Sequence, residues 1–191
     1  MAGGLIVVSG PSGSGKTTIA RTLLRDIPLL RFSVSATTRP MRAGEREGVD
    51  YHFLTRDEFQ RRVDAGEFVE WEEVYGHLYG TLRAEVEGAL TRGQHLLFDV
   101  DVKGALSIKE RYPGALLVFI RPPSRETLEA RLRARSTEDE ATVRRRLART
   151  DMELELGEQF DRRVVNDVLD RAIDETEEIV KHYLQLKERR I

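Results

Sequence analysis

The chain has 191 residues, 40% of them apolar and 34% charged, which describes a well-solvated globular protein rather than a disordered tail. Its net charge of −2, from 31 basic and 33 acidic residues, excludes a nucleic-acid binder that relies on bulk positive potential, and the lack of cysteine excludes disulfides, thiolate metal sites and cysteine nucleophiles. The apolar run after Met1 is only Leu5 to Val8, far short of a signal peptide or a membrane span. The expectation is one cytoplasmic domain with insertions, a monomer or weak homo-oligomer, with neither nucleic acid nor membrane as a partner.

In chain order, Leu5, Ile6, Val7 and Val8 predict a short buried strand. It feeds a turn through Gly10, Pro11, Ser12, Gly13, Ser14 and Gly15, and Lys16, Thr17 and Thr18 open a helix that ends near Ile27 and Pro28. A short strand from Phe32 to Ser35 is expected next, then a long polar passage from Thr37 to Asp50. Thr55 and Glu58 have capping-box spacing for a helix that stops near Gly66. The stretch around Phe68, Glu70 and Trp71 reads as strand, and Thr81 is placed to cap a helix closed by Gly93.

Leu96 to Asp101 predicts a second buried strand ending in acid, followed by a helix past Gly104, and Ala115 to Ile120 predicts a third strand. A helix is expected from Ser124 to about Arg135, and a second capping box at Thr137 and Glu140 starts a heavily charged helix running towards Gly157. That helix has few large apolar residues and reads as solvent-facing. Arg163 to Asn166 gives a last short strand, and Leu169, Ala172, Ile173, Thr176, Ile179, Val180, Tyr183 and Leu184 line one face of a final helix. Strands alternating with helices imply an α/β three-layer domain with a mainly parallel sheet. The passages that break the alternation, about 36–81 and 125–157, are then insertions over the sheet's carboxyl edge, where ligands of such folds sit. The core is left as about 1–35, 82–124 and 158–191.

The chemistry begins at Gly10 to Thr17, which completes the phosphate-loop pattern GxxxxGKT after a strand. Glycines let the backbone N–H groups curl inward, and the helix after them adds its positive dipole end to the same anion site. Lys16 is placed for the β- and γ-phosphates of a nucleoside triphosphate, and the Thr17 hydroxyl for Mg²⁺. Asp99, at the end of LLFD, is the acid expected near that Mg²⁺, directly or through water, with Asp101 facing the same side if the strand continues. Asp101 to Gly104 also spells the D-x-x-G of GTP-hydrolysing switch proteins, but no Asn-Lys-x-Asp guanine-reading motif follows it. Arg39 and Arg42, three apart in a loop, are close enough to grip one phosphate dianion with forked donors, and Tyr51 can add a hydroxyl. Taken alone, Glu70, one acid among Glu67, Glu70, Glu72 and Glu73, reads as part of an exposed strand face.

The passage from 37 to 54 resembles the signature of guanylate kinases at each specified place: Thr37, Thr38, Arg39, Arg42, Glu45, Gly48, Tyr51, Phe53 and Leu54. With GPSGSGKT, FVEW, YGT and DVD, the resemblance covers nearly the whole chain in the same order. It implies a phosphate-loop kinase fold with GMP-binding and lid insertions, and transfer of the γ-phosphoryl group of ATP to GMP, with deoxy-GMP as a further acceptor, in purine metabolism. It implies Arg39, Arg42, Tyr51 and Tyr79 on the GMP phosphate, and Ser35, Glu70, Thr81 and Asp101 on guanine. A carboxylate can accept both the N1–H and the N2 amino group of guanine, whereas adenine presents an acceptor at N1 and is repelled. Arg131, Arg135 and Arg146 match the lid arginines that close over the triphosphate, and Asn166 matches the segment lining the adenine of ATP. Lys103, Ser136 and Leu78 depart from the family pattern. Two rivals remain at this stage: a non-catalytic guanylate-kinase-like domain that binds phosphopeptides, and a phosphate-loop kinase for another acceptor.

Overall fold

The computed structural model describes residues 3–74, 76–134 and 140–188; of 134, 140–146 and 188 it describes the backbone alone. In chain order the elements are β1 (Leu5–Ser9), α1 (Lys16–Asp26), β2 (Leu30–Phe32), β3 (Ala36–Thr37), β4 (His52–Phe53), α2 (Arg56–Asp64), β5 (Phe68–Val74) and β6 (His77–Leu82). They continue with α3 (Arg83–Thr91), β7 (His95–Asp99), α4 (Val102–Arg111), β8 (Leu116–Arg121), α5 (Arg125–Ala134), α6 (Glu140–Gly157), β9 (Arg162–Val165) and α7 (Leu169–Glu188).

β1 is apolar on both faces because it is the central strand of a five-stranded parallel sheet of order β2-β7-β1-β8-β9. Alternate residues serve opposite layers. Ile6 and Val8 pack with Ile19 and Leu23 of α1 and with Ala172 and Val180 of α7. Leu5 and Val7 pack with Val86 of α3 and with Val102 and Ile108 of α4. Helices therefore cover both faces, giving the three layers expected from the alternating pattern. The register pairs Val8 with Asp99 on β7 and with Val118 on β8, so the chain leaves β1 for the glycine-rich turn beside the acid that ends β7.

A second, four-stranded sheet of order β4-β3-β6-β5 stands apart from the first. Its core is Ala36, Phe59, Phe68, Leu78 and Leu82. The Phe59 ring stacks on Phe68 with centroids 4.4 Å apart, so truncation of Phe59 to alanine is expected to cost about 3–5 kcal/mol. Leu78, one of the departures from the family pattern, is 2% exposed in this small core, while Lys103 is exposed on α4.

Several expectations are corrected. The strand placed at Phe32 to Ser35 is Leu30–Phe32, and Ala36–Thr37 already belongs to the second sheet. β7 ends at Asp99, because Asp101 turns to cap α4, its Oδ1 accepting the Gly104 N–H at 2.9 Å. That helix starts at Val102 rather than past Gly104. Thr81 does not cap α3, whose N-cap is Leu82 without a side-chain bond; Thr81 lies in β6 with its hydroxyl turned to Glu70. Thr55 does cap α2, accepting from the Glu58 N–H, but the Glu58 carboxylate goes to Arg62 at 2.9 Å instead of turning back. The charged helix α6 is less solvent-facing than its composition implies, since Thr150 and Glu153 are buried and Leu154 and Leu156 pack against the core. Thr137 lies outside the described residues.

Candidate functional site

The turn from Gly10 to Gly15 wraps the start of α1. Its backbone needs glycine at position 15, where φ is 92° and an added Cβ would collide with the Asn166 side-chain amide. That amide, 3% exposed, donates to the Ser14 carbonyl at 2.7 Å and so braces the loop from β9. Sequence reasoning expected Asn166 to line an adenine; here its amide reaches the loop itself. Pro11 and Ser14 are buried, Ser12 and Gly13 half-buried, and Thr18 is exposed on α1. Leu128 and Leu132 of α5 lie over Gly13, and Arg131 donates to the Asn166 carbonyl at 3.0 Å, which sets α5 beside the loop. Arg135 and Ser136 lie outside the described residues, as does the side chain of Arg146, whose backbone is on α6.

Thr17 donates its hydroxyl to Asp99 Oδ2 at 2.7 Å, across 82 residues of sequence. These two hard oxygens next to the loop fit Mg²⁺, which keeps several waters and takes only one or two protein ligands alongside phosphate oxygens. The described residues hold no group of three or more His, Asp or Glu that could form an all-protein metal cage.

Three cavities meet at Asp99, which lines all of them. One of about 510 Å³ opens between α1 and the loop after β3, with Arg39, Arg42, Tyr51 and Tyr79 in its wall. Arg39 is buried there, donating to Glu45 at 3.1 and 2.7 Å, and its guanidinium lies 5.4 Å from the centroid of the Tyr51 ring. The Arg39 side chain, with the Arg42 backbone N–H behind it, holds the Glu45 carboxyl below the usual range. Arg42 itself is exposed, with its side chain on the cavity wall.

The second cavity, about 190 Å³, is lined by Ser35, Tyr51, Glu70, Tyr79 and Asp101. Alternation along β5 turns Glu70 and Glu72 inward while Trp71 and Glu73 stay exposed, so Glu70 does not share the solvated face that the run of acids suggested. Its Oε1 accepts from the Thr81 hydroxyl at 2.6 Å. Burial pushes the Glu70 carboxyl up to about 7, against the Thr81 hydroxyl, which favours the charged form, and with added repulsion from Asp101. Thr81 is fully buried behind Glu70 and reaches the cavity only through it.

The third cavity, about 230 Å³, joins Gly10, Ser12 and Lys16 of the loop to Asp101, Arg149 and Glu153. Arg149, Glu153 and Glu72 escaped the sequence reading. The Arg149 and Glu153 spacing of four was visible in α6, but nothing local tied either residue to β5 or to Asp101. A separate cleft of about 510 Å³ beside α2 and α3 holds Arg62 and Arg83, and these are spent on Glu58, Glu67 and the Gly66 carbonyl. It lies away from the phosphate loop.

The described helices include none long and apolar enough to cross a membrane. The family model described as guanylate kinase matches residues 3–183. The chain is 50% identical over 176 residues to a guanylate kinase of Symbiobacterium thermophilum, covering 92% of this chain and 83% of that protein. It is 51% identical over 173 residues to one of Chlorobaculum tepidum, covering 90% and 89%. The crystal structure of guanylate kinase from Anaplasma phagocytophilum superposes with a TM-score of 0.73 at 33% identity, covering 97% of this chain and 86% of that one.

Proposed function

The chain belongs to the guanylate kinase family, and from that premise we propose how its residues divide the work of an ATP:GMP phosphotransferase. It transfers the γ-phosphoryl group of ATP to GMP, forming ADP and GDP. An oxygen of the GMP phosphate attacks the γ-phosphorus, the bond to the β–γ bridging oxygen breaks, and ADP leaves with that oxygen. No covalent enzyme intermediate is required, so catalysis rests on alignment and on charge placed where it develops.

We assign Gly10 to Thr18 and Lys16 in particular to the ATP phosphates, and Arg39, Arg42, Tyr51 and Tyr79 to the GMP phosphate. Ser35, Glu70 and Asp101 take the guanine edge, with Thr81 orienting Glu70 from behind. Arg131, and with it Arg135 and Arg146, supplies donors to the transferring group from the lid segment 125–157, while 36–81 forms the GMP-binding insertion. Asn166 holds the loop in shape beneath the ATP. Mg²⁺, when bound, neutralises charge on the β- and γ-phosphate oxygens, and Thr17 and Asp99 are the residues that would hold it. The protein works in the cytoplasm, in purine nucleotide metabolism, as a monomer or weak homo-oligomer, and accepts deoxy-GMP.

The observation that carries this reading is the meeting of three cavities at Asp99: one beside the phosphate loop, one walled by arginine and tyrosine, one walled by carboxylates. A phosphopeptide-binding domain needs the second but has no use for a Lys16 and a Thr17–Asp99 pair beside it. The test is ADP release by the purified chain with ATP and, in turn, GMP, AMP, CMP and UMP. Turnover with GMP far above the other three is expected. Equal turnover with AMP would remove the base-reading assignment, and no turnover with any acceptor would favour the binding domain.

A further inference from the structure

Arg149 gathers carboxylates from three separate parts of the chain. Its terminal nitrogen donates to both Glu72 oxygens at 3.0 and 2.9 Å and to Asp101 Oδ2 at 2.5 Å, and its Nε donates to Glu153 at 3.0 Å. Glu72 belongs to β5 of the second sheet, Asp101 to the cap of α4 just past β7 of the first sheet, and Glu153 to α6 itself. The Arg149 side chain is only 26% exposed, so these contacts are screened less than a surface pair would be. Asp101 uses its other oxygen on the Gly104 N–H, which leaves its carboxylate fixed at both ends.

The same place holds more acid than base. Glu70 and Glu72 face it from β5, Tyr79 from β6, Tyr51 from the loop before β4, Asp99 and Asp101 from the end of β7, and Glu153 from α6; among the described side chains lining these cavities, Lys16 and Arg149 are the cations that oppose them. Glu70 Oε2 and Asp101 Oδ1 both flank Gly104, within 2.9 and 3.0 Å of where a Cβ would stand, so the two carboxylates share one small gap. Burial, with repulsion from Asp101 added to it, pushes the Glu70 carboxyl up to about 7.

We propose that Arg149 is a positioning residue for guanine selection: seated on α6, it aligns Asp101 and Glu72 against the guanine cavity and supplies the positive charge that holds Glu72 ionised there. This rests on the GMP reading above and adds a residue outside the phosphate, guanine and lid sets assigned there. Because the cation rides on α6 while the carboxylates belong to β5 and the core, base reading becomes dependent on where α6 lies. A lid lifted away would take the guanidinium with it, leaving Glu72 beside the Asp101 carboxylate without its cation and ready to take up a proton. The burial that already pushes Glu70 and Glu72 up to about 7 makes that proton uptake occur near neutral pH.

The experiment is calorimetric titration of GMP into the full chain, wild type against Arg149→Met and Arg149→Lys, at about pH 6.5 and about pH 8.5. If the local cation lowers the wall's proton affinity by about one pH unit, Arg149→Met loses about tenfold in GMP affinity at the lower pH and much less at the higher. Arg149→Lys, which keeps the charge, should recover most of the pH profile. An equal, pH-independent loss in the Lys and Met variants, or none in either, overturns the proposal. Should Arg149→Met fail to fold, Glu72→Gln removes one claimant on the same guanidinium and should move the acid limb of GMP binding to lower pH; an unmoved limb overturns the idea equally. A wild-type chain that does not phosphorylate GMP would defeat the parent reading instead, whatever the variants do.

Discussion

Replacing Glu70 by glutamine should pull stability and function in opposite directions. In the folded chain burial raises the carboxyl from 4.5 to about 7, so between those values the native state holds a proton that the unfolded chain has lost. The stability linked to this group is fully present below about pH 4.5 and is lost as the pH rises through about 7. At about 1.4 kcal/mol per tenfold, that gap sets a ceiling of about 3 kcal/mol on the native-state cost of an ionised Glu70. Glutamine keeps an oxygen for the Thr81 hydroxyl, now 2.6 Å away, and turns a donor towards the gap that Asp101 shares. The variant without ligand should therefore melt higher than wild type at about pH 8 by a few degrees, and about level with it near pH 5. GMP binding should suffer, because one of two accepting oxygens has become a donor facing the guanine donors, a loss of about 1–3 kcal/mol. ATP binding should barely change. In wild type kcat/KM for GMP should fall as pH drops below about 7, where the carboxylate takes its proton, and in Glu70→Gln that acid limb should shrink to what Glu72 leaves. Thermal melts at the two pH values, with steady-state kinetics in varied GMP and then varied ATP, measure all of this. A variant that melts lower at about pH 8, or that keeps the acid limb unchanged, would show that Glu70 is neither the buried strained acid nor the base reader.

Lys16→Met should abolish phosphoryl transfer while leaving the melting temperature close to wild type, because Lys16 is only half-buried and serves the transition state rather than the core; wild-type turnover would remove its assignment. Gly104→Ala should weaken GMP binding by about tenfold without touching ATP, since its Cβ would stand 2.9 Å from Glu70 Oε2 and 3.0 Å from Asp101 Oδ1 and must push the pair apart; unchanged GMP affinity in a titration would show that the wall has slack. Hydrogen exchange in α5 and α6 should slow when ATP and GMP analogues are bound together, as expected of a closing lid, and identical exchange with and without ligands would count against closure.

The sequence by itself determined what is chain-local. A strand of four apolar residues, a glycine-rich turn and a helix opening with Lys16 and Thr17 are contiguous, and the dihedral freedom that the loop needs at Gly15 is a property of the residue itself. The apolar runs of β1, β7 and β8 likewise read as buried strands, and their alternation with helices announced a mainly parallel sheet, because parallel strands need helical crossovers that cover the sheet. The arginine and tyrosine set was readable because its spacing carries the family signature within one passage. Tertiary structure decided whatever depends on partners far apart in the chain. Thr17 meets Asp99 across 82 residues, Arg149 meets Asp101 across 48 and Glu72 across 77. Thr81 reads as a helix cap from its neighbours, yet pairing β5 with β6 sets it opposite Glu70, and the hydroxyl goes to the carboxylate. Asp101 reads as a strand residue, yet the free N–H groups at the start of α4 turn it into a cap. The charged helix α6 reads as solvated, yet its Arg149 is drawn under by three carboxylates that local sequence does not reveal. A side chain's local surroundings fix its propensities, but its charge and hydrogen-bonding groups take the partners that folding brings within about 3 Å, and those partners set its role.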